Sequence, residues 1–370
     1  MSSIQVELLP PQAARVLKAD APLPMKLLAA RGVVPGLAPG EALAVLVALS
    51  EEGPGEVRTQ ALATLGALPR PLLEGAVAGD LQPGVLAALV NAVGNDLEIL
   101  PRLLRMASIT EEMLCRLAEL ATEAAGEIIA TNESLLLRFH GAIEKLYMNK
   151  RVRMSTADRL IELAVRNKLD LDFPAFRLAA QAIANELIPE PTEEPTFDDE
   201  LFLVTDVMAE SLTLDPTVED VVDVDDEGAE EIKEKFKPLA QQIADMTISQ
   251  KIRTATLGKA AARMLLVRDT NRLVAEAAVK SPRLTESEAA QIAASRAVSD
   301  DVLRVVATNR DLTRSYQVKL NLIMNPRTPF TFSSRLLPHL RDNDIRNLAR
   351  SKNVPGAIVR AAKQQMSRKG

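Results

Sequence analysis

One five-residue layout recurs between residues 281 and 355 and limits what the chain can fold into. It reads Ser281-Pro282-Arg283-Leu284-Thr285, Ser295-Arg296-Ala297-Val298-Ser299, Asn309-Arg310-Asp311-Leu312-Thr313, Asn325-Pro326-Arg327-Thr328-Pro329 and Ser351-Lys352-Asn353-Val354-Pro355. A leading Asn or Ser suits the close of one helix. The fourth residue, apolar except at Thr328, suits the core, and Ser, Thr or Pro in fifth place suits the start of the next helix. Thr285 with Glu288 has the spacing of a capping box. The pieces between, such as 288–294 and 301–307, are amphipathic but too short to persist alone in water. Neighbours must therefore stack around a shared interior.

The first half follows a looser version of this plan. Amphipathic helices are expected over 41–50, 56–68, 83–93, 111–125, 134–148 and 155–166, punctuated by Gly and Pro. Asn149-Lys150-Arg151-Val152-Arg153-Met154-Ser155 echoes the junction layout. Composition agrees: 47% of residues are hydrophobic, only 3% aromatic, and Trp is absent. A core of Ala, Leu, Val and Ile suits closely packed helices better than a sandwich or barrel. The expected fold is all-α, a helical-repeat solenoid in two parts.

Between the parts the chain turns acidic. No Lys or Arg occurs from Leu178 through Ile232, and prolines open the stretch at Pro189, Pro191 and Pro195. Self-repulsion and broken helices predict a flexible acidic linker over 189–231, between a domain at 1–188 and another at 232–370. Within it, Leu201-Phe202-Leu203-Val204 is too apolar for a spacer and suggests docking. The net charge of -6 hides a polarity: 251–370 holds 23 Lys/Arg against 9 Asp/Glu, and the remainder holds 21 against 41.

Catalytic and ligand-binding patterns are sparse. His140, His339 and Cys115 stand far apart, so zinc-ligand spacing is missing. Gly258-Lys259 is not a phosphate-binding loop, because Arg253 occupies the place of its first glycine and Ala260 that of the Ser or Thr. Asp223, Asp225, Glu227, Gly228 and Glu234 follow the spacing of an EF-hand loop. Glu at the fifth place, Glu230 at the eighth and the Val-rich lead-in depart from that pattern and favour a plain acidic linker. No catalytic residue, cofactor or metal is expected. A single cysteine, with no secretion signal and no apolar run long enough to cross a bilayer, points to a cytoplasmic protein without membrane insertion.

Leu265-Leu266-Val267-Arg268-Asp269-Thr270-Asn271, with the junctions at Ser281, Asn325 and Ala349-Arg350-Ser351-Lys352-Asn353-Val354-Pro355, resembles a group of bacterial proteins of delta-proteobacterial type. In style this group is similar to leucine-rich-repeat-variant and HEAT-like solenoids. The resemblance covers about residues 245–370 well and implies a fold; it carries no activity and no site residues.

The basic last third is the main functional pointer. Lys251, Arg253, Lys259, Arg263 and Arg268 lie at one end, and Arg346, Arg350, Lys352, Arg360 and Lys363 at the other. Lined up along a helical array they would attract a polyanion. Three candidates compete: an acidic protein partner, a nucleic acid and the chain's own acidic stretch folding back. Surface charge kept for solubility is the duller alternative. The expected function is a non-catalytic protein-binding scaffold; a nucleic-acid-binding module is the alternative, weakened by the scarcity of aromatics for base stacking.

Overall fold

The computed structural model describes residues 4–184, 188, 190–225, 229–351 and 354–369. Contacts divide the chain into two compact units, Met1–Leu171 and Asp172–Gly370. Both are helical, and a two-stranded hairpin is the only sheet among the described residues. The expected all-α class is therefore the observed one.

The first unit carries α1 (Pro11–Leu17), α2 (Leu23–Ala30), α3 (Pro39–Glu52), α4 (Gly55–Gly66), α5 (Arg70–Ala76) and α6 (Pro83–Val93). It continues with α7 (Leu100–Leu103), α8 (Glu111–Leu120), α9 (Glu123–Ala130), α10 (Glu133–Arg138), α11 (Gly141–Met148) and α12 (Met154–Arg166). Prolines at or next to the first turn start several of these helices, where a missing N–H costs nothing. Elsewhere the side chains of Thr110, Thr122 and Asn132 accept from the first turn. Residues 42–50 of α3 are all buried, which makes it the central helix of the unit, with α1, α2, α4, α5 and α6 packed on it. Two expected helices are split. Thr122 opens α9, which ends the expected 111–125 helix at Leu120, and the 134–148 piece breaks between Arg138 and Gly141.

In the second unit come α13 (Phe176–Ile183), α14 (Phe197–Ser211), β1 (Val222–Val224), β2 (Glu230–Ile232), α15 (Lys237–Ala244), α16 (Ile248–Leu257), α17 (Ala260–Leu266) and α18 (Arg272–Lys280). They are followed by α19 (Glu286–Ala294), α20 (Asp300–Thr308), α21 (Tyr316–Met324), α22 (Phe330–Leu336), α23 (Asp342–Arg350) and α24 (Gly356–Lys369). The strands are antiparallel, with Val222 opposite Ile232 and Val224 opposite Glu230. Helices pack on the helix two places further along: α16 on α18, α18 on α20, α19 on α21 and α22 on α24.

The five junctions sit at helix ends. Ser281, Ser295, Asn309, Asn325 and Ser351 close α18, α19, α20, α21 and α23, and Thr285, Ser299 and Pro329 open α19, α20 and α22. Val298, Thr328 and Val354 are buried in fourth place, while Leu284 and Leu312 are half-buried. The third junction differs. The Thr313 hydroxyl donates back to the Asn309 carbonyl at 2.7 Å from within a 3-10 turn (Leu312–Arg314), and α21 is opened by Ser315 instead.

Junction side chains also tie one junction to an earlier one. Asn325 Nδ2 donates to the carbonyls of Ala293 and Ser295 at 2.9 and 2.7 Å, and its Oδ1 accepts from the Arg327 N–H at 3.0 Å. In the first unit Asn149 Nδ2 does the same toward Ala118 and Ala121, at 3.0 and 2.9 Å. Asn325→Ala would leave two buried carbonyls without this donor and is expected to cost about 2–3 kcal/mol in urea denaturation. A loss under about 0.5 kcal/mol would show that the amide is not a tie.

The acidic stretch departs from its expected role as a flexible linker over 189–231. Its described residues carry α14 and the hairpin, and they belong to the second compact unit, which starts near 172 rather than 232. Self-repulsion does not unfold it because it contributes its own apolar residues: Leu201, Phe202 and Ala209 are buried, as are Val221 and Val222. A capping box starts α14, with Thr196 N and Oγ1 both donating to Asp199 Oδ2 at 2.8 Å. Pro189 and residues 226–228 lie outside the described residues.

Candidate interaction surface

The basic residues near 251–268 are directed inward or matched by acids. α16 and α17 bury most of their length, so a cation on them must find its partner inside the protein. Arg253 is 0% exposed, and its guanidinium carbon lies 4.8 Å from the centre of the Phe202 ring on α14. Gln250 Nε2 adds a bond to the Asp198 carbonyl at 3.0 Å.

Arg263 gives Nε and Nη2 to one oxygen of Glu288 at 3.1 and 2.8 Å, and Nη1 to the Gly258 carbonyl. The Glu288 side chain is 0% exposed, and its other oxygen accepts from the Thr285 N–H and hydroxyl at 2.7 and 2.8 Å. Gly258 is needed small at this place, because a Cβ there would stand 2.4 Å from the Thr254 carbonyl oxygen. The glycine that tempts a phosphate-loop reading thus closes α16.

Arg268 joins the acidic stretch to the helices. Its Nη2 donates to Asp220 and its Nε to Glu230, both at 2.8 Å. The second oxygen of Glu230 accepts from the Ser295 hydroxyl at 2.6 Å and from the N–H groups of Arg296 and Ala297 at 2.9 and 3.2 Å. Burial alone would raise the Glu230 pKa; the Ser295 hydroxyl, the Arg268 guanidinium and the Ala297 N–H outweigh it and hold this carboxyl below the usual range. Lys251 faces Asp269 at 3.2 Å, and exposed Lys259 faces Glu210 at 3.6 Å. Arg253, Lys259 and Arg268 therefore all meet residues of the acidic stretch.

The second half of the basic set stands differently. Arg346 and Arg350 are exposed four residues apart on α23, and Arg360 and Lys363 are exposed three residues apart on α24. Such spacings place each pair on one side of its helix, and α23 and α24 pack on each other. None of the four forms an ion pair with a described residue. Residues 345–370 contain seven Lys/Arg and no Asp or Glu, and the acids of α23, Asp342 and Asp344, are confined to its first turn. Lys352 lies outside the described residues. One aromatic near this end is already engaged: the Tyr316 ring lies 4.6 Å from the Arg341 guanidinium, and its hydroxyl donates to Asp344.

His140 and His339 are exposed and belong to different compact units. Cys115 is half-buried, and burial together with Glu111 pushes its thiol above the ordinary value, which disfavours the thiolate. Glu227 and Gly228 of the EF-hand-like spacing lie outside the described residues. On either side of them the chain forms β1 and β2 in place of flanking helices. Asp223 faces Lys233 at 3.7 Å, and Asp225 accepts from the Ala229 N–H at 2.7 Å. No helix among the described residues is long and apolar enough to cross a membrane.

Fold and surface together define an all-α protein with a charged exposed end. No protein-family model matches the chain, and neither a curated protein nor a solved structure does.

Proposed function

We propose that this chain is a non-catalytic, helical-repeat scaffold that binds an acidic segment of another protein through the exposed cations of α23 and α24. The observation that carries the reading is the split within the basic set. Five cations are spent inside the second unit, while Arg346, Arg350, Arg360 and Lys363 are exposed and form no ion pair with a described residue. Groups so placed add association rate and specificity.

Two observations support the repeat reading. Packing runs between helices two places apart, and Asn325 and Asn149 make like ties to junctions about thirty residues earlier. This is the architecture that the resemblance to HEAT-like and leucine-rich-repeat-variant solenoids implies. The lone cysteine agrees with a cytoplasmic setting.

The test uses the full chain, a fluorescent poly-glutamate peptide and an oligonucleotide of equal charge. Reversing the four cations together (R346E, R350E, R360E, K363E) is expected to weaken peptide binding at least about tenfold, with a shallower salt dependence. Unchanged peptide affinity would overturn the proposal. Tighter binding of the oligonucleotide at about 0.15 M salt would replace it with the nucleic-acid reading.

A further inference from the structure

The geometry of α14 points to a second docking surface, one that takes a cationic amphipathic helix from another protein. It does not depend on the α23–α24 reading. One side of α14 is fully used, with Leu201, Phe202, Thr205 and Ala209 buried and the helix packed on α15, α16 and α17. The other side is apolar and bare: Phe197 is 74% exposed, Val207 66%, Val204 51% and Leu203 40%. Positions 197, 204 and 207 share one helical stripe, with 203 beside it. The inner side already anchors the helix, so folding of the unit gives no reason for this stripe. Contiguous exposed apolar groups of this kind mark interaction sites.

Charge selects the occupant. Glu200 lies between Phe197 and Leu203 on the exposed side, Asp198 is exposed at the same end, and neither forms an ion pair with a described residue. α14 itself holds five Asp or Glu and no Lys or Arg. A nucleic acid or an anionic bilayer is repelled by this face, and two copies of α14 laid together would oppose like charges. A helix with Leu, Ile or Val along one side and Lys or Arg along its edges satisfies both features. At about 1.5 Å per residue the stripe from Phe197 to Val207 offers a ridge of about 15 Å, enough for about three turns of a partner.

The experiment titrates the full chain with a fluorescent amphipathic peptide of Leu and Lys, beside its Leu/Glu counterpart and poly-lysine. Only the Leu/Lys peptide should bind tightly. Replacing Val204 and Val207 by Ser, at exposed positions where folding is insensitive, should weaken it about tenfold or more. Asp198→Asn with Glu200→Gln should weaken it severalfold and flatten its salt dependence. R346E with R350E should leave it unchanged, which separates this surface from the one above. Binding that ignores Val204 and Val207, or poly-lysine binding equally well, would overturn the proposal by reducing it to bulk electrostatics. A dimer of the free chain that the Ser variants abolish would overturn it in favour of self-association.

Discussion

Arg263→Ala is expected to destabilise the second unit by about 3–5 kcal/mol, among the largest effects of any single surface-neutral change in this protein. The reason is the fate of Glu288. Its side chain is wholly buried, and its only charge partner among the described residues is Arg263 at 2.8 Å. Thr285 continues to supply two donors after the truncation, but they serve the other oxygen, and the negative charge is left without its cation. Against a total stability of about 5–15 kcal/mol, the loss would show as a large drop in the urea midpoint and in soluble yield. Arg263→Lys should recover only part of it, because one ammonium cannot reach Glu288 with two donors while also serving the Gly258 carbonyl. The double variant R263A/E288A should lie well short of the sum of the singles, since each single strands the other partner. A midpoint for R263A within about 1 kcal/mol of the parent would mean that Glu288 is solvated or differently paired.

Arg263 also shows where reading the sequence stops. Its charge is visible, and so is the capping box of Thr285 and Glu288, but nothing local says that the two meet, because they lie 25 residues apart. A usable signal was nonetheless present. Around Arg263 the helix α17 is apolar or small on every side, the pattern of a buried helix, and an Arg in a buried helix must point at an acceptor. Counting charges over a zone averages inward and outward cations and loses that distinction. The same averaging made the acidic stretch look like a spacer, although Thr196 and Asp199 ahead of Leu201-Phe202 spell a helix start.

The junctions were legible for the opposite reason. Helix ends are specified by the residues at the ends, through side-chain caps and the missing N–H of proline, so Ser281, Asn325 and Pro329 could be placed without knowing any distant partner. Their second role could not. Asn325 reaching the carbonyls of Ala293 and Ser295 depends on which helix is packed beside it, and a single sequence carries no periodic trace of that. The exposed stripe on α14 falls between these cases: Leu201-Phe202-Leu203-Val204 reads as sticky, but only the helix phase separates Phe202, which is buried, from Val204, which is not.

Glu230→Gln should loosen the acidic stretch while the rest of the second unit stays folded, at a cost of about 2–3 kcal/mol for that segment. One carboxylate here accepts from a guanidinium, a hydroxyl and two backbone N–H groups, and so fastens β2 to Arg268 and to the junction after α19. Gln291, which donates to the carbonyls of Pro216 and Glu219 at 2.8 and 2.7 Å, and Arg268, which donates to Asp220 at 2.8 Å, are further clasps on this side and would remain. Because the folded pKa of Glu230 lies below its unfolded value, the unfolded state binds the proton more readily in the interval between them. The fastening is then complete above about pH 4.3 and is lost as pH falls through the lowered folded value. Hydrogen exchange should report this directly. In the parent, the amides of β1 and β2 should lose protection on acidification through that interval, whereas in E230Q they should be weakly protected already at pH 7 and change little. Equal protection in the two proteins at pH 7 would mean that Glu230 does not hold the hairpin down, and that the remaining contacts, Arg268 with Asp220, Phe202 with Arg253 and Gln291 with the Pro216 and Glu219 carbonyls, suffice to fasten the acidic stretch.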